Sequence, residues 1–197
     1  MRADGIRRVT EALKECLEQA LRFANMPGTV FVGPLDDPDV HDAALILFLY
    51  RVVPNASLRN REHRVYQAPV NPPQADPKVQ VFQNALPLDL YFLITVGTKL
   101  GSEETPLHSL GIAIQALHAA SDLTVTGAEQ ETVRITLEPL TTEEASRIWA
   151  LFPTANYRTS VAYLATPVWI DPRLPEPVAA PVVQDQLLSG HRVEVSS

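Results

Sequence analysis

The amino-acid sequence predicts an α+β fold, with a mixed β-sheet and about three helices packed on it. Three observations carry this. Apolar residues recur at helical spacing over 4–26, 102–120 and 141–152. Segments 43–53, 86–96, 132–138 and 160–170 have the length and apolar patterning of strands. The two kinds of element are mixed without a strict strand–helix–strand repeat, so a doubly wound parallel sheet is not expected.

In order, Asp4 to Met26 is the first helix, with Ile6, Val9, Leu13, Leu17, Ala20, Leu21 and Ala24 on its apolar face. Asp4 can cap its start and Pro27-Gly28 ends it. Thr29 to Gly33 reads as a short strand, followed by an acidic turn holding Asp36, Asp37, Asp39 and Asp42. Ala43 to Val53 is almost continuously apolar, which suits a strand buried on both faces; periodicity alone also admits a helix. Pro54 stops it. Asn55 to Ala85 is a long connection in which 64–67 and 79–83 can pair as a hairpin around the prolines at 69, 72, 73 and 77.

Leu86 to Val96 alternates, with Leu86, Leu88, Leu90, Phe92, Ile94 and Val96 on one face. The helix at 102–120 presents Leu107, Leu110, Ile114 and Leu117, and Gly111 with Ala113 would let one side approach a sheet closely. Thr132 to Glu138 alternates with Val133, Ile135 and Leu137 inward. The last helix opens with a capping box, Thr141 and Glu144 three residues on, and carries Ala145, Ile148, Trp149 and Phe152 on its apolar face. Ser160 to Ile170 is the last strand. The expected organisation is one domain over 1–171, then a proline-rich linker and an extended C-terminal arm over 172–197, too poor in apolar surface to fold alone.

Composition narrows the function classes. The chain has 197 residues, enough for one substantial core, and a net charge of −7. An acidic chain is a poor general nucleic-acid binder, because phosphate neutralisation needs basic surface. Cys16 is the only cysteine, so no intrachain disulfide forms, and its neighbours Leu13, Leu17 and Ala20 make it a small core residue. The N-terminus lacks the apolar stretch of a secretory signal. The longest apolar run, 43–50, is far short of the ~20 residues of a membrane span. Synthesis and folding in the cytoplasm are expected, with no direct membrane insertion.

No motif for chemistry stands out. Gly97-Thr98-Lys99 lacks the spacing of a phosphate-binding loop and reads as a strand-end turn. No nucleophile elbow is present. His108 and His118 share a helix but fall on different faces, and His41 beside Asp39 and Asp42 reads as a solvated acidic turn. His63 sits among arginines, which opposes metal binding. The carboxylate pairs Glu103-Glu104 and Glu143-Glu144 fall in first helical turns, where negative charge complements the helix dipole. No catalytic residue, metal site or cofactor is assigned.

What remains is the one dense basic cluster: Arg51, Arg59, Arg61 and Arg64, with Asn55 and Asn60 adding hydrogen-bonding capacity. Such a loop is either solvated, its arginines paired with nearby acids, or a protein-contact surface, since the planar guanidinium binds carboxylates bidentately and stacks on aromatics. Asp36, Asp37 and Asp39 of a neighbouring copy are possible complements.

Three segments stand in order: L-F-L-Y-R-V-V-P-N-A-S-L-R-N-R at 47–61; L-P-L-D-L-Y-F-L-I-T-V-G at 86–97 with H-S-L-G-I-A-I-Q-A-L-H at 108–118; and V-R-I-T-L-E-P-L-T-T-E-E-A-S-R-I-W-A-L-F at 133–152 with Y-R-T-S-V-A-Y-L-A-T-P-V-W-I-D at 157–171. Together they resemble the cap, or tail-terminator, family of phage-tail-like contractile injection systems of the antifeeding-prophage and virulence-cassette type. The resemblance implies a structural protein, not an enzyme: a six-fold homo-oligomeric ring at the baseplate-distal end of the particle, closing the inner tube and contacting the terminal sheath ring. It implies tube and sheath proteins as partners, no nucleic acid and no cofactor, within a particle open to release from the cell.

The tail beyond Asp171 lies outside the matched part. Val193-Glu194-Val195 alternates like a short strand that could add to a neighbour's sheet edge. Two other readings stay open: a monomeric adaptor or chaperone that binds an acidic partner, and a small soluble enzyme.

Overall fold

The computed structural model describes residues 3–67, 78–97, 104–125 and 131–172. Helix α1 (Gly5–Phe23) forms because Val9, Leu13, Leu17 and Leu21 recur every fourth residue and bury one stripe. Asp4 occupies the cap position but bonds no helix amide; its carboxylate accepts from Arg8 Nε at 2.6 Å instead. The helix also ends earlier than Pro27-Gly28. Asn25 turns left-handed at φ 53°, and Met26 N–H donates to the Leu21 carbonyl at 2.9 Å. This satisfies the last carbonyls at a non-glycine residue type that enters this backbone region more readily than most.

Strand β1 (Thr29–Val32) is followed by a 3-10 turn at Pro38–Asp42, whose first amides are capped by Asp37: its side chain accepts from Asp39 N–H at 2.9 Å. Then come β2 (Ala43–Pro54), β3 (His63–Gln67), β4 (Lys78–Phe82), β5 (Leu86–Val96), α2 (Glu104–Ala119), β6 (Asp122–Val125), β7 (Glu131–Glu138), α3 (Thr142–Trp149) and β8 (Ser160–Ile170). Six strands form one mixed sheet in the order β1-β2-β5-β8-β7-β6, while β3 and β4 pair as a separate antiparallel hairpin. Only β1 and β2 are parallel; the remaining neighbours are antiparallel. The mixed sheet, three helices and hairpin agree with the pattern expected from the sequence.

Two packed layers flank the sheet. On one face α1 and α2 cover Leu45, Leu47, Leu90, Phe92 and Ile94. On the other, Leu35, Val40, Trp149 and Phe152 cover Ile46, Leu93 and Ala162. The α3 capping box forms as expected, with Glu144 N–H donating to Thr141 Oγ1 at 3.2 Å and Thr141 N–H to Glu144 Oε2 at 2.9 Å. Gly97 is required at the end of β5: its N–H donates to the Ala44 carbonyl at 2.9 Å, and an added Cβ would lie 1.8 Å from the Ala43 carbonyl oxygen.

Several expectations need correction. β2 is buried on both faces only over 43–47; Arg51 and Val52 are exposed. Leu86 and Leu137 face solvent rather than the core, each near the end of its strand. α2 carries two apolar stripes of period seven, Leu107/Ile114 and Leu110/Leu117, and only one can meet the sheet. Leu110, Ala113 and Leu117 do; Leu107 is 53% exposed. Gly111 therefore does not ease sheet contact: an added Cβ there would meet nothing within 4 Å. The edge strand β6 was not expected, because four residues next to a helix end are too short for alternation to declare itself.

Candidate protein-contact interface

The arginine loop leaves the far end of β2 and returns as β3. Arg51 lies next to a register shift between Leu49 and Arg51, with its guanidinium carbon 5.0 Å from the Tyr91 ring centroid. The neighbouring Tyr50 hydroxyl is pushed up to about 12, by burial first and then by Glu138.

Asn55 fixes the base of the loop. Its side-chain amide donates to Asp89 Oδ1 at 2.9 Å and Thr166 Oγ1 at 3.3 Å, its side-chain oxygen accepts from Leu58 N–H at 3.0 Å, and its own N–H reaches the Pro87 carbonyl at 2.8 Å. Thr166 Oγ1 closes the triangle by donating to Asp89. Asn55 is thus a positioning residue, with its polar groups turned inward.

His63 fixes the other end. Its ring is buried, stacks on Trp169 with centroids 4.9 Å apart and planes 10° apart, and Nδ1 lies 2.6 Å from Asp171 Oδ1. Nε2 is 3.8 Å from Glu131. The local sequence places His63 among arginines; the fold turns it away from them, toward two carboxylates. Burial by itself would raise the Asp171 carboxyl, but hydrogen bonding led by His63 outweighs it and holds the group below the ordinary carboxylate range.

Between these anchors Arg59, Asn60 and Arg61 are exposed on a turn closed by Arg61 N–H to the Leu58 carbonyl at 2.9 Å. Neither Arg59 nor Arg61 has an ion-pair partner among the described residues, whereas Arg64 pairs with Glu62 at 3.1 Å. The six loop candidates therefore separate into exposed tips, a stacked Arg51, a locally paired Arg64 and an inward Asn55. Asp36 and Asp39 are exposed elsewhere on the chain. Val193, Glu194 and Val195 lie outside the described residues, as do Thr98, Lys99 and Glu103.

Sequence reasoning missed the anchors. His63 and Asp171 are 108 residues apart, so no local pattern links them. One signal was available: Asp89 is a lone acid inside an apolar strand, and such a residue needs a buried partner.

Among the described residues no cluster of His, Cys, Asp and Glu is arranged to hold a metal ion, and no helix is long and apolar enough to cross a membrane. Glu143 and Glu144 serve the α3 terminus; the Glu144 carboxyl is lowered first by the Thr141 backbone hydrogen bond.

The fold is similar to two solved structures. One is the sheath/tube terminator of an extracellular contractile injection system, PVC, in its extended state (TM-score 0.60, 16% identity, 97% of this chain and 65% of that one). The other is the tube-terminating cap of the anti-feeding prophage (TM-score 0.54, 18% identity, 95% and 60%). The chain thus spans less than two thirds of the length of either. No curated protein matches it. The model of the Pvc16 N-terminal domain matches residues 8–184, so the chain belongs to the Pvc16 N-terminal domain family.

Proposed function

We propose that this chain caps the baseplate-distal end of a contractile injection particle, closing the inner tube and contacting the last sheath ring. The observation that carries this reading is the likeness of fold along 97% of the chain to a sheath/tube terminator. Tube and sheath grow by heterologous contacts that continue until something binds the growing face and offers no equivalent face beyond. A six-fold ring of copies meets that need. The loop tips Arg59, Asn60 and Arg61 suit contact with neighbouring protein, because they are exposed, unpaired among the described residues and held on a fixed base. Arg51 and Arg64 flank them, and Asn55 sets their position.

The arm at Val193, Glu194 and Val195 fits addition to a sheet edge of the next copy. Of the two outer strands, Thr29–Val32 of β1 has no charged residue of its own, and pairing there would displace the Val30 N–H bond to Glu18 Oε1 at 3.3 Å. The role is structural, without a catalytic step, and the protein travels with the particle if that is released.

Deleting the gene and imaging the particles tests this. Tubes and sheaths of uncontrolled length, restored to uniform length by the intact chain, are expected. Absence of the protein from purified particles, or uniform lengths without it, overturns the reading.

A further inference from the structure

A second surface lies at the opposite end of the sheet from the arginine loop. An open groove of about 320 Å³ is lined by Val96, Pro106, Leu107, Tyr157, Arg158 and Thr159. Its walls are apolar and exposed: Leu107 is 53% and Tyr157 67% accessible. The outward stripe of α2 continues it through Gly111, where space is open, to the exposed Ile114.

Among the described residues of the lining, Arg158 is the only charged one, and it is half-buried. Of its five donors, one makes a long 3.5 Å bond to the Val96 carbonyl, and no carboxylate among the described residues pairs with it. Burial lowers the guanidinium from its ordinary value. A partly desolvated arginine between apolar walls calls for an extended segment that brings one carboxylate flanked by apolar side chains.

The chain contains such a segment. Residues 182–188 read V-V-Q-D-Q-L-L, with Asp185 the sole charge among four aliphatic residues. We infer that this segment of one copy docks in the groove of a neighbouring copy, Asp185 on Arg158 and Leu187 or Leu188 against Leu107. Reach favours the neighbour. The described chain ends at Pro172, just past the end of β8, while the groove lies at the start of that strand. Returning means retracing about 36 Å of strand. The proline-rich stretch before Asp185 covers about 40 Å when extended, so a return within one copy would be nearly taut. Docking from one end of a copy onto the other end of the next is a heterologous contact, the kind that closes rings. It rests on the ring reading only for the source of that neighbour.

The test uses the full-length chain with a photo-crosslinking amino acid at position 107, mixed with ¹⁵N-labelled full-length chain, in solution and on particles. Cross-links from position 107 to labelled peptides spanning 182–188 are expected. Their yield should fall roughly five- to tenfold in Arg158→Glu and recover when Asp185→Arg is added. Unchanged thermal midpoints confirm that the variants fold. Cross-links confined to one copy, cross-links to other segments, or none at all overturn the docking. So does a charge reversal without rescue. A chain that caps particles yet gives no such cross-link sinks the docking alone, and a chain that cross-links this way but never joins particles sinks the capping reading alone.

Discussion

The two ends of the central sheet are built by different means. At the end formed by 43–47, 93–96 and 160–162, helices or the 3-10 turn cover both faces, and apolar burial does the holding. At the end formed by 51–54, 86–89 and 166–170, Leu88 and Val168 still join the main core, but Arg51, Val52 and Leu86 are exposed and the apolar cover is incomplete. There a polar triangle of Asn55, Asp89 and Thr166 and a histidine between aromatic and acid add directional bonds to the packing. The difference shows how a chain keeps a charged loop on rigid ground: apolar packing supplies the frame, and directional bonds fix the loop where packing is incomplete.

If that division is right, the largest loss of stability comes from the packed end. Phe92 is fully buried at the centre of the main core. Phe92→Ala should cost about 3–5 kcal/mol in denaturant unfolding, with no selective effect on the loop. A cost under about 1 kcal/mol would mean that the packed end is not the frame.

Next comes the His63 anchor. His63→Ala removes a hydrogen bond to a buried carboxylate and a ring stack, worth about 2 kcal/mol together. The pH dependence has a definite sign. The Asp171 carboxyl is held below its ordinary range, so its contribution is present above the unfolded value of about 3.9 and is lost as pH falls through the lower folded value. Thermal midpoints followed from pH 7 down to pH 3 should therefore drop more steeply in the native protein than in Asp171→Asn. Parallel curves would assign the acid sensitivity elsewhere.

A smaller effect attaches to Asn55. Asn55→Ala should cost about 1 kcal/mol globally, yet it should speed hydrogen exchange at the Leu58 and Arg61 amides far more than at the core of β5. Uniform exchange across both regions would show that the polar triangle supports the whole fold rather than the loop.

The same division explains what the sequence could reveal. The packed end is written in local periodicity: Val9 to Leu21 on α1, the alternation of β5, and the Thr141–Glu144 box each report their own environment. Where two periods were equally good, as for the two stripes of α2, only the tertiary fit chose between them. The open end is written in partners far apart in the chain. Neither Asn55 with Thr166 nor His63 with Asp171 leaves a spacing to read, so the arginines were visible while the residues that position them were not. Arg158 stayed unnoticed for a related reason: its meaning lies in half-burial without a partner, which no local pattern encodes.

The smallest change in stability should come from the loop tips, and it is the most informative. Arg59 and Arg61 are exposed and make no ion pair among the described residues, so Arg59→Ala with Arg61→Ala should move the unfolding free energy by less than about 0.5 kcal/mol. If the open end exists to present these side chains to neighbouring protein, the same double variant should lose its place on particles, measured as the amount of protein that co-purifies with tube and sheath. Arg59→Lys with Arg61→Lys keeps the charge but not the planar fork, and should recover only part of it. Full recovery would reduce the contact to bulk electrostatics, and its salt dependence would then be steep. A double-alanine variant that is both stable and fully incorporated would leave the loop a solvated turn, and the elaborate anchoring beneath it would need another reason.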